Sequence, residues 1–211
     1  MSEQVLSQKK SILMINSKNR KIPEALDDLN LNNVFINYST EVYKFLKEEI
    51  RDCYIADFPD GPCCFVDINS ESSCNSIEKC FSVRNNSGEE YWLLQIDKGV
   101  IKKSVKKCDC AVMNRYSIAF IEFKANMTTE NPKTMLKEYQ RAQEQLKSTI
   151  TLFRDVHGKS LSSIRDLNAY VCLRKGYPKF GPLYQNISIA FKNDTGIPLS
   201  FDGEMHLTKC D

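Results

Sequence analysis

Apolar positions along the chain follow two different periods. Between residues 57 and 125 they come in short runs of strand length, separated by turn-forming residues. The runs are 63–68 (CCFVDI), 80–84 (CFSVR), 91–96 (YWLLQI), 108–113 (CDCAVM) and 117–125 (SIAFIEFKA), the last being the strongest strand signal. Turn chemistry lies between or before them at 57–62 (DFPDGP), 85–88 (NNSG), 97–99 (DKG) and 114–115 (NR). The period then changes. Met135, Tyr139, Ala142, Leu146, Thr149, Phe153 and Val156 recur every three or four residues, which predicts a long helix. Pro132 suits its first turn and Gly158 its end. Residues 168–173 (NAYVCL) predict another strand, 175–182 a Gly/Pro-rich loop, and 187–191 a final strand. Upstream, Ser39 or Thr40 can cap a helix on which Val42, Phe45, Leu46, Ile50 and Cys53 share a face. Residues 11–15 (SILMI) read as a short strand.

A helix, several strands, a long helix and a strand predict an α/β domain with a mixed central sheet flanked by helices. The length of 211 residues suits one domain with additions. The expected division is an N-terminal arm or extension (1–38), the domain itself (39–192) and a polar C-terminal tail packed on it (193–211). Apolar residues make up 42% and charged residues 27%, enough for a real core. The formal charge is only +2, so any affinity for nucleic acid must come from local clusters. No apolar run approaches the ~18 residues of a membrane span, and the N-terminus is polar and then charged. The expectation is a cytosolic (cytoplasmic) protein with no membrane partner. Nine cysteines contain no CxxC pair, and only His157 and His206 could add imidazole. A zinc site from Cys63, Cys64, Cys74 and Cys80 would have uncommon spacing; reduced thiols, some packed as small hydrophobes, are the simpler reading.

The chemistry concentrates on the two strands around Arg115–Tyr116. If the hairpin is symmetric there, Met113 faces Ile118, Ala111 faces Phe120, and Asp109 faces Glu122. Alternation puts Ile118, Phe120, Glu122 and Lys124 on one face. Opposed residues have Cβ atoms roughly 5 Å apart. Both faces of the pair are apolar apart from this end, so the strands should be internal. Two carboxylates placed directly opposite repel, and burial raises the penalty. A divalent cation removes the conflict, because carboxylates are hard ligands suited to Mg²⁺ or Mn²⁺. An adjacent lysine can then position water or stabilise charge on a phosphate. The plain alternative is an aspartate ending a strand in solvent beside an ordinary Glu122–Lys124 ion pair.

The segments CDCAV at 108–112 and FIEFK at 120–124 resemble the PD-(D/E)XK nuclease superfamily, which includes restriction endonucleases and Holliday-junction resolvases. The resemblance covers roughly residues 90–175 and implies a restriction-endonuclease-like α-β-β-β-α-β core. It further implies metal ligation by Asp109 and Glu122, with Lys124 as the catalytic lysine. The segment AQEQL at 142–146 resembles the family's helix glutamine, which brings in Gln145. The family's acidic residue on the first core helix is best matched by Glu49, and next by Glu48. No proline precedes Asp109, a departure from the family's name motif.

Lys102, Lys103, Lys106 and Lys107 form the densest basic run and directly precede Asp109. With Lys133 and Lys137 they are candidates for phosphate contacts, unless the run is simply a solvated loop. Trp92, Tyr91 and Tyr116 offer stacking surfaces, although strand packing accounts for Trp92 as well. The expected activity is Mg²⁺- or Mn²⁺-dependent hydrolysis of DNA phosphodiesters by an endonuclease, in restriction or defence against foreign DNA as the resemblance suggests. A homodimer or partner subunit would suit double-strand cutting. The alternative is a non-catalytic nucleic-acid-binding or regulatory module on the same fold.

Overall fold

Strands whose side chains are apolar on both faces need cover on both sides, and this chain supplies it with helices on one side and a second sheet on the other. The computed structural model describes residues 21–66, 77–129, 131–177 and 181–208. Ten strands are described: β1 (Leu46–Glu49), β2 (Cys53–Phe58), β3 (Gly61–Val66), β4 (Phe81–Asn85), β5 (Tyr91–Gln95), β6 (Cys110–Met113), β7 (Ser117–Phe123), β8 (Asp166–Cys172), β9 (Leu199–Ser200) and β10 (Glu204–Leu207). The described helices are α1 (Leu31–Val34), α2 (Pro132–His157), α3 (Leu161–Ile164) and α4 (Gly181–Thr195). A six-stranded mixed sheet has the order β1-β5-β6-β7-β8-β9, antiparallel up to β7 and parallel from β7 to β9. A four-stranded mixed sheet has the order β10-β4-β2-β3, with β10 parallel to β4. The protein is therefore of mixed α/β class.

Alternation along the central strands divides the interior into two cores. Ala111, Met113, Ile118 and Phe120 face the helices and pack with Tyr139, Leu146 and Phe153 of α2. Cys110, Val112, Ala119 and Ile121 face the opposite way and pack with Ile55, Phe81 and Val83 of the smaller sheet. Helix α2 matches the predicted stripe: Met135, Tyr139, Ala142, Leu146, Thr149 and Phe153 are buried, and only Val156 is exposed. Asn131 caps it, accepting the backbone N–H groups of Lys133 and Thr134 at 3.0 and 3.4 Å. Gly158 ends it with φ of 59°.

Three stretches differ from the sequence reading. The helix expected from Ser39 onward is a short 3₁₀ turn, Val42–Phe45, followed by the edge strand β1, in which Leu46 pairs with Leu94 and Glu49 with Tyr91. Pairing with β5 satisfies the backbone of 46–49, and the charged side chains Lys47, Glu48 and Glu49 suit an edge. Cys53 belongs to β2 in the other sheet. Second, 187–191 lies in a helix, α4, whose buried Tyr184, Ile187, Phe191 and Thr195 recur at helical spacing. Third, the described part of the N-terminal segment is core and not an arm: Leu26, Leu29, Leu31 and Phe35 are fully buried. The tail contributes β9 and β10, so it packs on the domain by completing both sheets. The expected strand at 11–15 lies outside the described residues.

Arg165 ties the N-terminal segment to the sheet. It is 6% exposed and donates to the carbonyls of Asn114 and Ala25 and to both carboxylate oxygens of Asp28 at 2.6 Å. Arg165→Ala would strand these acceptors. Chemical denaturation should report a loss of about 3 kcal/mol, and a loss within experimental error would contradict this role.

Candidate active site

The register of the β6–β7 hairpin positions the acids. Met113 pairs with Ile118 and Ala111 with Phe120, as the turn at 114–116 predicts. The ladder runs on past β6: the Asp109 N–H donates to the Ile121 carbonyl at 3.1 Å, which sets Asp109 beside Glu122. The Asp109 carbonyl accepts from the N–H groups of Ile96 and Asp97 at 3.1 and 3.0 Å. Its Oδ2 accepts the Phe123 N–H at 2.6 Å. Helix α2 holds the preceding residues from the other side. Ser148 Oγ donates to the Lys106 carbonyl, Gln145 Nε2 to the Lys107 carbonyl, and Thr149 Oγ1 accepts the Cys108 N–H. The Asp109 main chain is therefore fixed by two strands, a turn and a helix.

Lys124 joins this group from the next same-face position. Its Nζ donates to Glu122 Oε1 at 2.9 Å and to Gln145 Oε1 at 3.3 Å, and lies 3.9 Å from Glu138 Oε2. Asp109, Glu122, Lys124 and Gln145 are thus gathered at one end of the hairpin. Asp109 is 8% exposed and Glu122 2% exposed. Glu122 Oε2 has no hydrogen-bond partner. Burial pushes the Asp109 carboxyl up to about 7, against the pull of the Phe123 N–H. Burial, followed by the neighbouring Asp109 charge, drives Glu122 well above the usual carboxylate range, although Lys124 opposes the rise. The acidic pair is an unresolved electrostatic conflict, in line with what its opposed placement predicts.

Glu49 is not part of this group. It pairs with Tyr91 at one end of β5, whereas Asp109 adjoins the other end, past Gln95. Its carboxylate takes Arg51 in a two-point contact, both at 3.1 Å, and accepts the N–H groups of Ile50 and Arg51. The Arg51 contact holds it down at about 2. The local turn claims this glutamate, and the expected first helix that would have carried it inward does not form. Glu48, the second choice, lies exposed on the same strand.

The basic run divides. Lys107 is buried, with its Nζ donating to the Lys103 carbonyl at 2.7 Å and pairing with Asp97 at 2.9 Å, so it serves the fold and not a ligand. Lys106 pairs with Glu144 at 2.7 Å on the exposed surface of α2. Lys102 and Lys103 are exposed, the latter over the Tyr38 ring. Lys133 and Lys137 are exposed on the first two turns of α2. Tyr91 and Trp92 are buried in the two cores and take no part in a surface; Tyr116 is half-buried, with its hydroxyl near Glu89.

Two acids nearby were not anticipated. Glu138 shares the α2 face of Gln145, seven residues earlier, a spacing visible in the sequence once the helix is known. Asp57, on β2, is raised by burial, and its charge adds to the field at Asp109 and Glu122. Nothing local marks it, since it reaches the region only by sheet-on-sheet packing. The Phe58 and Pro59 carbonyls accept Lys98 Nζ at 3.0 and 2.9 Å, pinning that hairpin to the turn that also binds the Asp109 carbonyl. In this turn Gly99 is obligatory, because a Cβ there would lie 2.2 Å from the Gln95 carbonyl oxygen.

Among the described residues no three His, Cys, Asp or Glu side chains converge to hold a metal ion unaided. Among the described cysteines Cys53, Cys63, Cys108, Cys110 and Cys172 are free thiols, and these and Cys80 are buried; Cys74 lies outside the described residues. Among those residues no helix is long and apolar enough to cross a membrane. No protein family, curated protein or solved structure matches the chain. Two opposed carboxylates, with one oxygen orphaned and a single lysine between two acids, are a donor set of the kind a hard cation takes.

Proposed function

We propose that the chain is a metal-dependent endonuclease that hydrolyses DNA phosphodiester bonds. The observation that carries this reading is the buried, opposed Asp109–Glu122 pair, with Glu122 Oε2 left without a partner beside the amine of Lys124. A purely structural pair has no reason to keep two like charges in a site that raises both of their pKa values. Asp109 and Glu122 would hold Mg²⁺ or Mn²⁺, which when bound stabilises charge on a phosphate and makes water more acidic.

The other residues then have definite tasks. Asp109 keeps Oδ1 for ligation because Oδ2 is engaged by the Phe123 N–H. Lys124, held by Glu122 and Gln145, donates to a phosphate oxygen or fixes the attacking water. Gln145 orients the lysine through its Oε1 while its amide is anchored on Lys107. Lys133 and Lys137, with Lys102 and Lys103, offer exposed cations for the flanking backbone. A role in restriction or defence against foreign DNA follows from the family resemblance noted above.

The test uses the wild-type protein with linear and supercoiled DNA. Cleavage is expected with Mg²⁺ or Mn²⁺, is abolished by chelator, and returns when Mn²⁺ is added back. Absence of cleavage on every DNA form, with the ion shown to be bound by calorimetry, rejects the enzyme and favours a regulatory module.

A further inference from the structure

We propose that the outer face of the four-stranded sheet carries a cleft for one unpaired nucleotide. The choice of ligand rests on the nucleic-acid reading above. Register places Tyr54 and Glu204 on either side of Ser82 across three adjacent strands, with Arg84 two residues further along β4. These four share the outward face, because Cys53, Ile55, Phe81, Val83 and Met205 fill the core behind them. The loop after β8 forms the wall: Arg174 donates to Glu78 at 2.7 and 3.0 Å, and the Lys175 N–H donates to the Glu78 carbonyl. The open cleft has a volume of about 380 Å³, the size of a small-molecule site.

Ser82 is an independent sign of a ligand. It is 6% exposed, lines the cleft, and its Oγ makes no well-formed hydrogen bond, the Glu204 carboxylate being its neighbour. A buried hydroxyl without a well-formed hydrogen bond is costly, and a bound acceptor would relieve it. The surroundings specify the partner. The Arg84 guanidinium lies over the Tyr54 ring at 5.6 Å and donates to its hydroxyl, making a flat π-cationic surface. Arg174 and Lys175 place cations at the rim. The Ser82 hydroxyl offers a donor to a ring edge, and the Glu204 carboxylate, which already accepts from Arg84 Nε at 3.1 Å, offers its remaining lone pairs. Flat ring, polar edge and anion together describe a nucleotide, and sheet faces bearing aromatic and arginine side chains bind single strands this way.

The cleft opens at the carboxyl end of β8, which the backbone joins to the segment carrying Lys124. The Lys124 N–H donates to the Cys172 carbonyl at 2.8 Å, two residues before Arg174. Lys79 Nζ reaches Asn126 Oδ1 at 3.0 Å, next to the Glu78 wall. A base whose edge is read by Ser82 and Glu204 has no partner base, so the bound strand is single at that point.

Fluorescence anisotropy in chelator, where no cleavage occurs, tests the proposal with a labelled single-stranded oligonucleotide, its blunt duplex, and dAMP as competitor. Arg174→Ala and Ser82→Ala serve as variants; Arg174 is exposed, Ser82 Oγ has only the Glu204 carboxylate near it, and thermal melts verify the fold. Each variant is expected to weaken single-strand binding at least about tenfold while leaving duplex binding unchanged. Displacement by dAMP would assign the cleft to free nucleotides as well, and resistance to dAMP would assign it to the strand alone. Equal affinity of wild type and both variants, or no single-strand binding at all, overturns the cleft. That result leaves metal-dependent cleavage untouched. Conversely, cleft-dependent binding by a protein that never cleaves DNA retires the nuclease reading only.

Discussion

Glu122→Gln is expected to remove DNA cleavage by more than about 100-fold while the protein stays folded. The substitution keeps the side-chain shape and the possibility of accepting a hydrogen bond from Lys124, so only the charge is lost. Asp109→Asn should behave alike, since the Phe123 N–H still finds an acceptor. Calorimetry with Mn²⁺ should show both variants losing affinity for the ion. Lys124→Met separates the roles: ion binding should persist and cleavage should not, because the amine acts on the phosphate or the water and not on the metal. Cleavage at the wild-type rate by Glu122→Gln would remove the assignment of this pair altogether.

The second large effect is on stability. Asp109 titrates near 7 in the fold, against roughly 3.9 when unfolded, so the folded state binds the extra proton between these values. Stability contributed by this group is full below about pH 4 and falls as pH rises through 7. The difference is on the order of 4 kcal/mol, and Glu122 acts in the same direction. In chelator, wild type should therefore melt at a lower temperature at pH 8 than at pH 5. Mn²⁺ should restore the loss at pH 8, because it binds the charged pair. Glu122→Gln should abolish the Mn²⁺ effect and remove only the Glu122 share of the profile, whereas Asp109→Asn should remove the share that burial of Asp109 creates. Glu49 does not confuse the measurement, since it titrates near 2, outside the window. A wild-type melting temperature that climbs from pH 5 to pH 8 without metal would contradict the buried-pair electrostatics.

The centre of the molecule was legible because its signals are local. A tight turn at 114–116 fixes the register of β6 and β7, and register alone places Asp109 beside Glu122. The stripe on α2 is long enough for its period to be unmistakable, and Gln145, which the family resemblance brought in, meets Lys124 from that helix. The errors arose where local pattern was overruled or too short. Val42, Phe45, Leu46, Ile50 and Cys53 happen to recur at helical steps, yet the backbone of 46–49 finds its partners on β5 and Cys53 finds its own in the other sheet. With the helix went the reason to place Glu49 in the site. The run 187–191 is five residues long, too short to separate a strand from one side of a helix. Lys107 shows the limit of reading charge: it sits in a basic run, but the turn at Asp97 draws it inside. Asp57 and the Ser82 cleft depend on the packing of one sheet against another, which leaves no periodic trace.

The position of β10 has a consequence for how the protein comes into being. Strand β4 borders β2 on one side, and its other edge is occupied by residues more than a hundred positions later. Until residues 204–207 have been synthesised and have found it, that edge shows open amide and carbonyl groups, and the hydrophobic backing of Phe81 and Val83 lacks Met205 and Leu207. Such distant pairing makes acquisition of the native state slow and leaves the nascent chain open to edge-to-edge association with its copies. Expression yield, rather than the melting temperature of the finished protein, is where changes in β10 will register most strongly.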